Sequence, residues 1–213
     1  MIVKNKNILL VEGRDDEHTI YAIRDIYEIP ETSFAVGKEQ GITNVLEKTE
    51  AELRVNNRDQ IERLGIVIDA DENLNNRWQS VTNILQKAGY ANIPDLPDST
   101  GTIIEQDGKI KFGVWIMPDN QINQGYLETF LRFFIPDDDE AWEKARECVA
   151  NLNDKPFIRA NVDHTQKAEI HTYLAWQEEP GKPFGTSITA KYLQADNPQC
   201  RLFVDWLIRL FVN

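Results

Sequence analysis

Two short, unbroken apolar runs each end in an acidic residue, and this constrains the chain more than any other feature. Asn7 to Val11 (NILLV) runs into Glu12, and Leu64 to Ile68 (LGIVI) runs into Asp69, with Asp71 two residues further on. A run that is apolar at every position, without alternation, marks a strand buried on both faces. Between the two runs, Ile20, Ile23, Ile26 and Tyr27 recur at helical spacing, in a helix that stops before Pro30. Thr32 to Val36 reads as a second strand closed by Gly37. A polar helix is predicted over Ile42 to Val55, with Val45, Leu46 and Leu53 turned inward. After Asp69, the residues Trp78, Val81, Ile84 and Leu85 mark another helix, ended by Gly89. The alternation of strand and helix predicts an α/β fold: a mostly parallel sheet, Rossmann-like in layout, flanked by helices on right-handed crossovers.

The pattern then changes. Thr102 to Ile104 and Lys109 to Phe112 flank Gln106-Asp107-Gly108, a hairpin turn signal, and Val114 to Met117 reads as a fourth strand stopped by Pro118. The rest reads as helices over Tyr126 to Ile135, Asp139 to Leu152, His164 to Gln177 and Pro198 to Phe211. The last carries Leu202, Phe203, Trp206, Leu207 and Leu210 on one stripe, which must cover either the core or a homodimer interface. Glu178 to Gly185 (EEPGKPFG) reads as a loop. The organisation this implies is an α/β core over residues 1–135 and a helical C-terminal extension over 136–213.

Composition limits the partners. The 213 residues carry 35 acidic against 23 basic side chains, a formal net charge of -12. Such a surface repels a phosphate backbone unless a metal or a local basic patch reverses the sign. A generic nucleic-acid coat protein is excluded; a metal-dependent enzyme is not. Cys148 and Cys200 are the only cysteines and form no CxxC, which excludes a zinc ribbon, an iron–sulfur cluster and a disulfide scaffold. That usage fits a reducing cytoplasm. The N-terminal run meets Glu12 and Gly13 before any small-residue cleavage site, so it reads as a first strand and not a signal peptide. No apolar run approaches the ~20 residues of a membrane-spanning helix.

The chemistry concentrates at strand ends. In an open parallel sheet the carboxyl ends of the strands form one rim, where ligands bind. Glu12 and the pair Asp69 and Asp71 share that rim if their strands are neighbours. Residues two apart in an extended segment point the same way, so Asp69 and Asp71 can converge on one ion. Asp16, four residues after Glu12, faces the same rim from a helix that starts near Arg14. Oxygen-only clusters of this kind suit Mg2+ or Mn2+. Taken singly, each motif reads better as a solvated loop or a helix N-terminus favoured by the dipole; together, each after a buried strand, they favour the ion site. Arg14 and Lys167 are candidates to meet a phosphate, against a solvated surface role. His18, His164 and His171 have no metal-ligand spacing and read as structural or surface residues. Trp115, Trp142, Trp176 and Trp206 read as core or interface, and Asp137, Asp138 and Asp139 as caps of the following helix.

LLVEGRDDEH followed by GIVIDADEN resembles a Toprim domain, a fold shared by topoisomerases, bacterial primases and the overcoming-lysogenization-defect nucleases. That fold carries a Glu after its first strand and a DxD after its third; Glu12, Asp69 and Asp71 match those positions. Asp16 resembles the acidic residue that the overcoming-lysogenization-defect type places one turn later. FGVWIMPDN, GYLETFL and KAEIHTYLAW are similar to a small uncharacterised bacterial family related to Toprim proteins, in which Glu128 occupies a late acidic position. The resemblance implies a Mg2+- or Mn2+-dependent phosphotransfer protein, a nuclease or nuclease component acting on nucleic acid. Glu12 would be general acid/base or metal ligand, and Asp16, Asp69, Asp71 and Glu128 ligands. The chain has no room for a topoisomerase's tyrosine domain and no cysteine pairs for a primase's zinc domain. The competing reading is a non-enzymatic regulatory subunit that binds a nucleotide or an ATPase partner. A dehalogenase-type phosphatase ranks below these, because Glu72 and Asn73 follow the second Asp; a receiver domain ranks lower still.

Overall fold

The structure is a computed structural model, and it describes residues 5–56, 60–159 and 162–213. The first half contains β1 (Asn7–Val11), α1 (Arg14–Ile26), β2 (Ala35–Lys38), α2 (Ile42–Val55), β3 (Arg63–Asp69), α3 (Leu74–Lys87), β4 (Thr102–Ile104) and β5 (Lys111–Met117). The second contains α4 (Leu127–Arg132), α5 (Glu140–Ala150), a short hairpin of β6 (Ile158–Arg159) and β7 (Val162–Asp163), α6 (Thr165–Ala175), α7 (Phe184–Thr189) and α8 (Pro198–Phe211).

The main sheet has the order β2-β1-β3-β5-β4. Its first four strands run parallel and β4 is antiparallel to β5 at the edge. β1 and β3 are neighbours, with Val11 beside Val67, and Asp69 lies beside Met117 of β5. The ends of these strands therefore form one continuous rim.

The central strands are apolar throughout because both faces are covered, and successive side chains point to opposite sides. Leu9, Val11, Val67, Trp115 and Met117 face one cluster, which continues without a break through Phe130, Trp142, Tyr173, Phe184 and Phe203. Leu10, Ile66, Ile68, Phe112, Val114 and Ile116 face the other, completed by α2 and α3 through Val45, Leu53, Trp78, Val81 and Leu85.

α8 docks on the sheet through a flat floor. Gly65 and Gly113 are paired in register across β3 and β5. A Cβ on Gly113 would lie 2.4 Å from Leu210 Cδ2, and one on Gly65 would lie 2.9 Å from the same atom. Two absent side chains thus make the groove that Leu210 fills. Asn197 caps the helix by accepting from the Cys200 N–H at 2.9 Å, with Pro198 in the first turn. Phe203, Trp206, Leu207 and Leu210 are buried, each contributing roughly 1.5–3 kcal/mol. The apolar stripe is used on this chain's own sheet.

Several boundaries differ from those read in the sequence. Lys109 to Phe112 and Val114 to Met117 are not two strands; Lys111–Met117 is one, and Gly113 is its helix-docking point and not a break. β2 starts at Ala35, because Glu31–Ser33 forms a turn of 3-10 helix after Pro30. The Glu178–Gly185 loop ends early, since Phe184 and Gly185 begin α7. A Cβ on Gly185 would lie 2.5 Å from His18 O, so glycine lets α7 cross close to α1. Trp115, Trp142 and Trp206 are core residues, whereas Trp176 is exposed. Asp139 caps α5, accepting from the Trp142 N–H at 3.0 Å. Among the described residues, no helix is long and apolar enough to cross a membrane.

Candidate functional site

β1 delivers Glu12 to the rim, and the extended backbone of Gly13 turns the chain into α1. The first turn of α1 holds Asp15, Asp16 and Glu17, where acidic groups favour the helix dipole. Asp16 folds back over Gly13: a Cβ there would meet Asp16 Oδ2 at 3.3 Å. β3 delivers Asp69 beside them, and Glu12 Oε1 accepts from the Asp69 N–H at 2.9 Å.

Glu12, Asp16 and Asp69 form one electrostatic unit. Burial raises the Glu12 carboxyl above its ordinary value; the Asp69 N–H partly offsets this, and Asp71 adds to it. Asp16 is pushed up to about 7 by burial, with Glu12 and then Glu128 adding repulsion. Asp69 is held well above the ordinary carboxylate range by burial first, then by Glu12, Asp16, Glu128 and Asp71. Its Oδ1 is buried and has no hydrogen-bond partner. A buried carboxylate oxygen facing other acids, without a donor, is costly unless a proton or a cation joins it.

The two outer acids are differently placed. Asp71 has φ 51 and pairs its backbone with Gly125, each N–H donating to the other's carbonyl at 3.1 Å. Its carboxylate is bound by Arg77 of α3, whose Nε also donates to Asp69 O at 2.9 Å. Glu128, in the first turn of α4, is buried and pairs with Lys167 of α6 at 2.9 Å. Burial pulls the Lys167 ammonium down, but the bond and charge of Glu128 outweigh it and hold it above its ordinary value. Arg14 is exposed and donates from Nε to His18 Nε2 at 3.3 Å. His171 stacks on Phe184, and burial lowers its imidazole below the ordinary value.

Six of the seven residues singled out from the sequence therefore gather around one rim or its border. Glu12, Asp16 and Asp69 are central, Asp71 and Glu128 are each neutralised by a base, and Arg14 lies outside. Among the described residues, no three His, Cys, Asp or Glu side chains already stand in metal-holding geometry. The orphaned Asp69 oxygen and the mutual repulsion of oxygen donors do fit a hard divalent cation, with Glu12, Asp16 and Asp69 as the residues to hold it.

Arg77 is a rim residue that the sequence reading does not single out. Its signal was present: a basic residue in the first turn of a helix opposes the dipole and calls for an acidic partner. The DxD one turn earlier supplies it.

Comparison with curated proteins finds no match, and comparison with solved structures finds none either. A family model, DUF3226, described as a protein of unknown function, matches residues 6–212. The match spans nearly the whole chain, and the chain belongs to the DUF3226 family.

Proposed function

We propose that this protein is a Toprim-like, Mg2+- or Mn2+-dependent phosphotransfer protein that hydrolyses phosphodiester bonds of nucleic acid. One observation carries the reading: Asp69, at the end of a central parallel strand, presents a buried carboxylate oxygen with no donor to the carboxylates of Glu12 and Asp16. The parallel β1 and β3, each ending in the matching acid, support the Toprim resemblance. When bound, the cation would supply an activated water and offset charge on the phosphate.

This chain's own groups do the rest. Asp69 and Glu12 hold the ion against the sheet, with Glu12 fixed in place by the Asp69 N–H. Asp16, pushed up to about 7 by burial and its neighbours, gives up its proton as the ion binds and joins the carboxylates that hold it. Lys167 restrains Glu128 and offers a positive charge at the border of the rim. Arg14, exposed at the start of α1, can meet an incoming phosphate.

The test pairs binding with activity. Melting with and without Mn2+ should show stabilisation of wild type that Asp69→Asn lacks. A time course on supercoiled plasmid and single-stranded oligonucleotides at low salt should show slow, Mn2+-favoured cleavage. Equal melting of both proteins with and without Mn2+ would refute the metal centre.

A second reading, a non-enzymatic subunit that binds a nucleotide or an ATPase partner, is favoured by one feature. The bases at the rim, Arg77 and Lys167, are already engaged by acids, and the chain carries a net charge of -12. Ion binding without cleavage of any substrate would select it.

A further inference from the structure

Arg77 stands where the Asp71 carboxylate meets a cavity. A cleft of about 560 Å³ opens beside the rim, lined by Asp71, Asn73, Asn76, Arg77, Ser80 and Tyr126 among others. Arg77 is anchored: Nε donates to the backbone Asp69 O, and its side chain is only 14% exposed. Its Nη2 bonds Asp71, while Nη1 makes no hydrogen bond among the described residues. Asp71 is the looser partner, with a side chain 42% exposed. Its backbone is fixed by the paired bonds to Gly125, so only the side chain needs to turn.

We propose, resting on the metal-centre reading above, that Arg77 couples phosphate binding in this cleft to completion of the ion site. A phosphate of a nucleotide or strand end takes the guanidinium, and the released Asp71 turns to the ion held by Glu12 and Asp69. Two observations carry this. Guanidinium presents a planar fork that suits phosphate oxygens bidentately, and Nη1 is free to begin that exchange. The carboxylate that must leave is the exposed one, so water or an ion can replace its lost bond. By linkage, ion and phosphate must then strengthen each other's binding by the same factor.

The experiment is calorimetric titration of the full chain with Mn2+, alone and with saturating thymidine 5′-monophosphate, correcting for free ion bound by the nucleotide. The nucleotide should tighten Mn2+ binding by about fivefold or more, and thymidine without phosphate should leave it unchanged. Arg77→Gln should bind Mn2+ more tightly than wild type when no nucleotide is present. In both Arg77→Gln and Asp71→Asn the nucleotide effect should shrink below about twofold. If Arg77→Gln fails to fold, Asp71→Asn, altered at a half-exposed side chain, carries the comparison alone. Wild-type Mn2+ affinity that ignores the nucleotide, or coupling that survives in the variants, overturns this inference and leaves the metal centre standing. Failure of Mn2+ to bind under either condition overturns both.

Discussion

Glu12 Oε1 accepts the backbone N–H of Asp69 at 2.9 Å, tying the end of the first strand to the end of the third. The bond satisfies Glu12 and leaves the Asp69 carboxylate to face its acidic neighbours with one oxygen unpartnered. The sheet therefore holds two acids in fixed register and withholds a donor from one of them.

Asp69→Asn should stabilise the metal-free protein. The amide keeps the shape, carries no charge among Glu12, Asp16 and Glu128, and brings a donor of its own. A gain of roughly 1–3 kcal/mol is expected from removing the unsatisfied buried group. In wild type, Mn2+ at 100 times its dissociation constant should add about 2.7 kcal/mol, and in Asp69→Asn it should add nothing. Chemical denaturation of both proteins, with and without Mn2+, measures the four values.

Stability should fall with rising pH when no divalent ion is present. Asp16 titrates near 3.8 in the unfolded chain and at about 7 in the fold. Between those values the unfolded state releases its proton first, so folding loses stability across that window and levels off above it. A divalent ion competes with the same proton, so its stabilising effect should grow across the same window. Melting in chelator and in Mn2+ from pH 4 to pH 8 gives both curves; an Asp16→Asn variant should flatten the chelator curve.

Gly113→Ala should destabilise by about 1–3 kcal/mol through overpacking, because the new Cβ would sit 2.4 Å from Leu210 Cδ2. Leu210→Ala alone should cost about 2–5 kcal/mol by leaving a cavity. The double variant should lose less than the sum of the two, since the shortened side chain makes room for the added methyl. Removing residues 197–213 altogether should expose the Gly65–Gly113 floor and cause aggregation, which light scattering detects.

Glu12→Gln should abolish most cleavage of single-stranded oligonucleotides and plasmid, because the neutral amide no longer holds the ion against the sheet. Cleavage that persists unchanged in the purified variant would mark a contaminating nuclease. A basic partner should raise the wild-type rate, because a chain at -12 repels a phosphate backbone and the local attraction of single bases such as Lys167 is screened within about 8 Å at physiological salt.

What was legible in the sequence followed from burial. NILLV and LGIVI are apolar throughout because each is covered on both faces, and an acid directly after such a run has to stand at the rim. Glu12 and Asp69 stand there for that reason. The breaks were harder. Gly113 looks like the end of a strand, yet its missing side chain admits Leu210, a contact from nearly a hundred positions away. α7 is short and carries Gly185 and Ser187, poor helix formers whose placement is set by packing against α1. The pairing of Arg77 with Asp71 and of Lys167 with Glu128 depends on which element ends meet, and local pattern does not encode that.

The most direct test of the central claim is a crystal structure of the protein soaked in Mn2+, read by anomalous scattering. The account predicts one strong peak at the rim, about 2.0–2.6 Å from carboxylate oxygens of Asp69 and Glu12, with the now orphaned Asp69 Oδ1 as a ligand. A soaked crystal with no peak there, and Asp69 Oδ1 still without a partner, would contradict it.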